Sequence, residues 1–368
     1  MRRSTLTAAL PAALALTLGL GACGAANEEP APAGDGGNGE TAAELSGTIA
    51  GAGSSAQAAA MEAWIAGFTS QYPDVTVTYD PVGSGGGREQ FTAGGVDFAG
   101  SDAYLDEEEL AAAQETCGGD FVEVPLYVSP IAVIFNLEGV EELNLSPETI
   151  ARVFNQEITT WNDPAIAADN PGVELPDLPI TPVNRSDESG TTENFTEYLA
   201  AAAGDAWPHE PDGNWPVQGG EAAQGTSGVV GAVQGGEGTI GYADASQAGD
   251  LGIAKVKVGE EFVEYSPEAA AAVVEVSERV EGRGEYSYAL DLARDTTESG
   301  TYPIVLVSYQ LACTTYEDPE TAELVKAFFG YIASEEGQQA AAEAAGSAPA
   351  SSTLLEQANQ AIEAISAG

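Results

Sequence analysis

The chain has 368 residues, enough for two ordinary domains, and its 58 acidic against 11 basic side chains give a net charge of −47. So negative a chain argues against nucleic-acid binding, which requires clusters of Lys and Arg. The single histidine, His209, is too little for a histidine-based zinc site or a catalytic triad.

The N-terminus has the pattern of an export signal. Met1-Arg2-Arg3 precede an apolar stretch at 6–22 that is too short for a membrane span. It ends in Leu20-Gly21-Ala22-Cys23, which resembles a bacterial lipobox and so implies removal of 1–22 and lipidation of the Cys23 thiol. An ordinary signal peptide with an incidental cysteine is the alternative. The stretch 23–45 has hardly any large apolar side chains, so we predict a disordered tether there.

From residue 45 onward, strand and helix patterns alternate as in an α/β fold. Apolar residues recur at helical spacing in 61–68 and alternate as in a strand in 75–79. The other predicted strands lie at 46–50, 96–98, 122–126, 131–135, 240–242 and 303–311. The other predicted helices lie at 106–114, 195–199, 229–233, 324–332 and 354–365, with further starts at Ser146-Pro147 and Ser266-Pro267.

Cleavage before Cys23 and its lipidation would leave two cysteines, Cys117 and Cys313. An even pair in an exported protein predicts a disulfide. A bridge that closes so long a loop stabilises the fold by about 5 kcal/mol in the chain-entropy model. Two free buried thiols are the alternative.

The segment 185–192, Arg-Ser-Asp-Glu-Ser-Gly-Thr-Thr, collects anion-binding groups just before a helical pattern. A helix start offers free amides and the positive end of the dipole. Ser189 and Thr191 add hydroxyls, and Arg185 adds a planar charged fork. Asp187 would repel a simple anion, so we predict that it orients Arg185 or accepts a proton from the ligand.

Two more segments rich in glycine and serine, 51–55 and 83–87, each lie between a predicted strand and a helix. Glycines allow the backbone to approach a ligand closely. Each segment alone has a plain turn or helix cap as its alternative. Together with Ser189-Gly190-Thr191, they indicate a shared anion site.

Asp102 follows the predicted strand at 96–98 and distinguishes between ligands. As a helix cap or turn residue it would contribute about 1 kcal/mol to stability and no function. As a site residue it would accept a hydrogen bond from a protonated ligand oxygen. Hydrogen phosphate carries such a proton, whereas sulfate would present an acceptor to an acceptor.

In order and spacing, these segments resemble the phosphate-binding protein family of the bacterial high-affinity phosphate ABC transporter. The resemblance runs from about residue 47 to the C-terminus. It rests on segments 51–53, 83–86, 96–98, 101–103, 161–166, 170–172, 185–191 and 238–242.

The resemblance implies a type II periplasmic-binding-protein fold, in which two α/β domains joined by a two-strand hinge close on dehydrated phosphate. By position, it implies phosphate contacts from Ser55, Ala56, Ser84, Asp102, Arg185, Ser189, Gly190 and Thr191. Asp187 matches a residue that holds the arginine. The family usually has Ala-Thr-Phe where Ser54-Ser55-Ala56 stand here, so the hydroxyl is kept and an aromatic side chain is lost.

The resemblance also implies two chain crossings, near 125–129 and 300–304. Domain I would then comprise 46–126 plus 302–368, with Cys117 and Cys313 both in it, and domain II would comprise 127–301. The implied protein is a monomeric phosphate receptor without enzymatic activity or cofactor. It would be lipid-anchored outside the cytoplasmic membrane and would serve permease subunits there.

Three alternatives remain at the level of sequence. A receptor for sulfate or molybdate is disfavoured by Asp102. A secreted phosphatase would need a general base or a metal cluster that no His/Asp grouping supplies. A surface adhesin or signalling receptor could keep the site without an importer. Arg88, which follows the second glycine segment, is expected at the surface.

Overall fold

A computed structural model of the chain describes residues 45–368. The predicted export signal at 1–22, Cys23 and the tether up to residue 44 lie outside the described residues. Within 45–368, no helix combines the length and the apolar composition that a bilayer crossing requires.

Eleven α-helices occur within residues 45–368, and most of them begin after a Ser or Asp side chain that accepts a hydrogen bond from the first turn. The predicted starts at Ser146-Pro147 and Ser266-Pro267 are among them. The helices are α1 Ala58–Gln71, α2 Ser84–Thr92, α3 Glu107–Thr116, α4 Pro147–Phe154, α5 Pro164–Asp169, α6 Gly190–Ala202, α7 Gly225–Gly235, α8 Pro267–Glu275, α9 Pro319–Ile332, α10 Glu335–Ala345 and α11 Ser352–Glu363.

The strands of the described region alternate with these helices, so the chain is α/β as predicted. They are β1 Gly47–Gly53, β2 Val75–Asp80, β3 Phe98–Ser101, β4 Phe121–Asn136, β5 Asn144–Leu145, β6 Thr181–Arg185, β7 Glu221–Ala223, β8 Thr239–Asp244, β9 Gly252–Ile253, β10 Lys255–Val258, β11 Glu261–Val263, β12 Glu278–Arg279, β13 Leu290–Asp291, β14 Val305–Cys313, β15 Thr315–Tyr316 and β16 Ser366–Ala367.

One nine-stranded sheet organises the fold, in the order β2-β1-β3-β14-β4-β8-β6-β7, with β9 paired to β4. The parallel strands β1 to β3, with helices α1 to α3, are called the first half here. The parallel strands β6 to β8, with helices α4 to α7, are called the second half. The antiparallel strands β14 and β4 join them, since β14 pairs with β3 and β4 pairs with β8.

The two strands predicted at 122–126 and 131–135 are one continuous strand, β4, of 16 residues. Pro125 and Pro130 lack the amide hydrogen that a central strand donates, which favours a break. The structure accommodates Pro125 next to a register shift in β14, and beyond Pro130 the partner of β4 changes from β14 to β8. Strand β4 therefore runs from the first half to the second without interruption.

Residues 51–53, predicted as a glycine turn, form the end of β1 instead and pair with Phe98–Gly100 of β3. Gly53 has a φ of 143°, and a Cβ atom there would lie 1.9 Å from the carbonyl oxygen of Gly100. Glycine is needed at this close approach of two strands. The strand therefore delivers residues 54–56 directly to the edge of the sheet.

The hydrophobic clusters of the described region do not follow the predicted domain division. The second half has its own small cluster around Val183 and Val229. Helix α8 packs Val273 into a cluster that contains Phe91 and Leu311, which belong to the first half and to β14. Thus α8 packs with the first half although it precedes the predicted crossing at 300–304.

Cys117 and Cys313 form the predicted disulfide, with Cα atoms 5.1 Å apart. Cys117 caps the C-terminus of α3, and Cys313 is the last residue of β14. The bridge therefore ties one end of a joining strand to the first half.

Candidate functional site

Asp102 lies just past β3 and is 3 % exposed. Its Oδ1 accepts a hydrogen bond from Oγ of Ser308 at 2.6 Å, and its Oδ2 accepts one from Oγ1 of Thr191 at 3.3 Å. The Asp102 amide donates to Oγ of Ser84 at 3.1 Å. Both halves and the joining strand β14 thus meet at one carboxylate.

Burial raises the pKa of Asp102 because its charge loses hydration. The hydrogen bond from the Ser308 hydroxyl, the nearby hydroxyls of Ser54 and Ser84 and the charge of Arg185 act in the opposite direction. A buried carboxylate surrounded by donors can accept a hydrogen bond from a ligand oxygen that carries a proton.

Arg185 ends strand β6 and is 3 % exposed. Its Nε donates to Oδ1 of Asp187 at 2.8 Å, and its Nη2 donates to Oδ2 of the same carboxylate. The Gly225 amide also donates to Oδ1 of Asp187, at 3.1 Å. Within residues 45–368, Nη1 of Arg185 has no acceptor.

Partial burial alone would raise the pKa of Asp187, but the hydrogen bond and charge of Arg185, with the Gly225 amide, lower it overall. Asp187 is therefore an ionised partner that fixes the plane of the guanidinium. This geometry fits the predicted orienting role better than that of a proton acceptor.

The first residue of helix α6, Gly190, lies in contact with Asp102. A Cβ atom on Gly190 would lie 2.7 Å from Cβ of Asp102, so glycine permits this contact between the halves. Ser189 caps the helix by accepting from the Thr192 amide at 3.3 Å. Among the described residues, the amides of Gly190 and Thr191 have no acceptor and remain available to an anion.

The first loop is held by the second half. Oγ of Ser55 lies 3.1 Å from Oγ1 of Thr226 and accepts from the Thr226 amide at 3.1 Å. Nε2 of Gln247 donates to the carbonyl oxygens of Ser55 and Ala56 at 2.8 and 3.1 Å. The Ala56 amide donates to Oγ of Ser54 at 3.1 Å, so a ligand would have to share that donor.

The predicted residues are therefore brought together to different degrees. Ser84, Gly190 and Thr191 contact Asp102 directly, and Arg185 is near enough for its charge to act on that carboxylate. Among residues 45–368, Ser55 connects to Asp187 through the start of α7.

Arg88, expected at the surface, is 5 % exposed. Its Nε donates to both oxygens of Glu109 at 2.8 and 3.0 Å, and its Nη1 donates to Oγ of Ser101 at 3.1 Å. Its Nη2 donates to Glu188 of the second half at 2.7 Å. The expectation of a surface role was wrong because the helix that follows Ser84 is packed against the second half.

Glu193, on the first turn of α6, belongs to the same group of charges. Burial raises its pKa to about 7; Arg88 opposes that rise, and Glu197, Glu109 and Glu188 add to it. Despite these carboxylates, no set of three potential ligands within residues 45–368 is arranged to hold a metal ion.

Sequence reasoning missed Ser308, Thr226 and Gln247 as well as the burial of Arg88. The local signal for Ser308 was a polar residue inside the apolar run 303–311. For Thr226 and Gln247 the sequence around each residue gives no comparable signal, because their contacts to Ser55 span more than 170 residues.

Comparison with known proteins shows the family to which the chain belongs. The sequence model of the PBP superfamily domain matches residues 38–336. Phosphate-binding protein PstS 3 of Mycobacterium leprae is 38 % identical over 290 residues, which cover 76 % of this chain and 77 % of that one. Phosphate-binding protein PstS 3 of Mycobacterium tuberculosis is 36 % identical over 340 residues, covering 89 % and 90 %.

The chain belongs to the PstS family of phosphate-binding proteins. The structure of a high-affinity periplasmic phosphate-binding protein (PfluDING), bound with phosphate, superposes with a TM-score of 0.70 at 23 % identity, covering 85 % of this chain and 93 % of that one. That likeness extends to the fold, a type II periplasmic-binding-protein fold as predicted. Ala56 is fully buried in the first loop, where the family pattern predicts an aromatic side chain, and Thr226 and Gln247 hydrogen-bond to this loop.

Proposed function

We propose that this chain binds inorganic phosphate outside the cytoplasmic membrane and delivers it to an ABC-type phosphate importer. The observation that carries the proposal is the buried carboxylate of Asp102, set among hydroxyl, amide and guanidinium donors. A tetrahedral oxyanion that keeps a proton can donate to this carboxylate. A fully deprotonated oxyanion would face it acceptor to acceptor, at a cost of several kcal/mol.

The proposed phosphate site combines donors from both halves with one acceptor. Arg185 would contribute Nη1, and the start of α6 would contribute amides and hydroxyls. Asp187 would support the site by holding Arg185. The proposed contacts are Ser55, Ala56, Ser84, Asp102, Arg185, Ser189, Gly190 and Thr191.

A ligand that bridges the two halves would favour their closed arrangement by its higher affinity for that state. We propose two domains, domain I at 46–126 plus 302–368 and domain II at 127–301. Helix α8, which lies within domain II by this division, packs in one cluster with Phe91 of domain I. Closure of a monomeric receptor would then signal occupancy to the permease subunits.

The proposed location follows from the N-terminal segment. Removal of 1–22 and lipidation of Cys23 would anchor the chain to the cell membrane, with 24–45 as the tether. The receptor would act without catalysis, since the proposed site contains donors and a single acceptor but no pair of groups arranged for general acid and base chemistry. The mass of the exported chain would report whether Cys23 carries lipid.

Calorimetric titration of the full chain with phosphate and with sulfate tests the ligand. We expect phosphate to bind and sulfate not to bind. The Asp102→Asn variant should lose about tenfold or more in phosphate affinity and should discriminate less against sulfate, because the amide can donate to a deprotonated oxygen.

Heat from sulfate alone would leave an anion site but overturn the phosphate assignment. Absence of heat from every tetrahedral oxyanion would overturn the proposed contacts themselves. Unchanged selectivity in Asp102→Asn would reject the proton-acceptor role of the carboxylate.

A further inference from the structure

Ser308 is a fully buried polar residue of the joining strand β14, flanked by Val307 and Tyr309. Strand β14 runs antiparallel to β3, with Tyr309 opposite Ser101. The next pair in this register is Ser308 with Asp102, immediately past the end of β3. Strand pairing, and not a loop, therefore brings this hydroxyl to the carboxylate.

The two carboxylate oxygens of Asp102 have separate donors. Oδ1 receives the Ser308 hydroxyl at 2.6 Å, and Oδ2 receives the Thr191 hydroxyl at the longer distance of 3.3 Å. A hydroxyl has one proton to donate, so Ser308 is committed to Oδ1 while Oδ2 keeps acceptor capacity beside α6. Ser308 also sits where the β14–β4 register shifts, within the strands that join the halves.

We propose that Ser308 is a positioning residue for the anion site, which holds Asp102 ionised with Oδ2 toward the ligand and so sets the preference for a protonated tetrahedral oxyanion. The inference rests on the proposed phosphate function and goes beyond it. Ser308 acts through Asp102 and need not touch the ligand. The strand that joins the halves therefore takes part in ligand selection.

The protonation of Asp102 also depends on other groups near it. Burial raises its pKa, and the Ser308 hydroxyl is the first of several groups that lower it. Glu193 titrates near neutral pH, so its effect must be subtracted in any pH profile. The charged and titratable side chains that act on Asp102 or line the same small cavity are Arg185, Tyr79, Tyr104, Glu193, Glu197, Arg294 and Tyr309.

The test is calorimetric titration of the full chain with inorganic phosphate between pH 5.5 and 8.5, for wild type and Ser308→Ala. Loss of a hydrogen bond to the charged form should move the acid fall-off in affinity upward by about one pH unit. The Kd of the variant should exceed that of wild type by up to about tenfold toward pH 5.5, and the two proteins should differ less as pH rises. The variant should also discriminate less between phosphate and sulfate.

Ser287→Ala is the matched control. Ser287 is equally buried and donates its hydroxyl to another buried carboxylate, that of Glu123. Its substitution should lower stability about as much as Ser308→Ala does, and it should leave the pH dependence of phosphate affinity unchanged. Ser308→Cys keeps a side chain of similar size with a weaker donor, and it should move the profile in the same direction as Ser308→Ala even if the alanine variant does not fold.

A double-mutant cycle separates positioning from a general packing effect. In the Asp102→Asn background, Ser308→Ala should change phosphate affinity less than twofold. A profile of Ser308→Ala or Ser308→Cys that coincides with that of Ser287→Ala would overturn the inference, as would an undiminished effect in the Asp102→Asn background. If wild type binds no phosphate, the proposed function fails and this inference fails with it. If wild type binds phosphate and substitution of Ser308 does not change the pH dependence of its affinity, only the inference fails.

Discussion

Two arginines near the contact between the halves are almost equally buried, and they differ in how their donors are used. Arg185 gives Nε and Nη2 to one carboxylate, Asp187, and keeps Nη1 without an acceptor among the described residues. Arg88 donates from Nε to Glu109, from Nη1 to Ser101 and from Nη2 to Glu188.

The difference shows that burial of an arginine does not by itself mark a binding site. Arg185 is oriented by its partner and retains a donor for a ligand, whereas Arg88 links the first half to the second through Glu188. Each charge is compensated, since a buried ion without a partner costs several kcal/mol. The unused donor is what separates a binding group from a structural ion pair.

The largest expected effect comes from Arg185→Met. It removes the guanidinium from the proposed ligand and leaves the Asp187 carboxylate beside the site without its partner. We expect a loss of about 3–5 kcal/mol in phosphate binding, roughly 10² to 4 × 10³-fold in Kd, measured by calorimetry. If Arg88→Met lost as much phosphate affinity, the Nη1 donor that Arg185 retains for a ligand would not be what distinguishes the two arginines.

Arg88→Met should act mainly on stability. Without Arg88, the carboxylates of Glu109, Glu188 and Glu193 face one another. We expect the free energy of unfolding in urea to fall by about 2–4 kcal/mol and the phosphate Kd to rise no more than about tenfold. Glu188→Gln is the matched control, and because Glu188 is half-exposed it should cost under about 1 kcal/mol.

Glu193→Gln should produce the smallest effect, and one that depends on pH. The pKa of Glu193 is raised from 4.5 to about 7, so between these values the folded state holds more protons than the unfolded state. Stability contributed by the protonated group is complete below pH 4.5 and is lost as pH rises through about 7.

Relative to wild type, Glu193→Gln should therefore gain stability at pH 8 but not at pH 5. The side chain is only partly buried, so we expect about 1–2 kcal/mol, measured as unfolding free energy at the two values. An equal difference at pH 5 and pH 8 would contradict the protonation of Glu193 near neutral pH.

Local patterns could predict the parts of the site that are contiguous in sequence. The contact of Arg185 with Asp187, the cap at Ser189 and the glycine at 190 all lie within six residues, where charge complementarity and capping rules apply directly. Asp102 could be proposed from its place after a strand. The disulfide could be proposed from the count of cysteines.

The rest depends on strand register and on the approach of the two halves, which no short segment encodes. Ser308 reaches Asp102 because β14 pairs with β3 some 200 residues away in sequence. Arg88 looked like a surface residue because its partner Glu188 lies 100 residues away. The division of β4 into two predicted strands failed because the change of partner at Pro130 leaves the strand intact.

The bridge between Cys117 and Cys313 makes residues 117–313 a covalently closed ring. The ring contains the whole second half, with exposed surface positions such as Glu210. A protease that cut one peptide bond in the ring would leave both new ends attached to the first half. On a gel, the nicked chain would migrate as one species until a reductant separated its two fragments. After a single cleavage, the second half would therefore stay covalently attached to the first half.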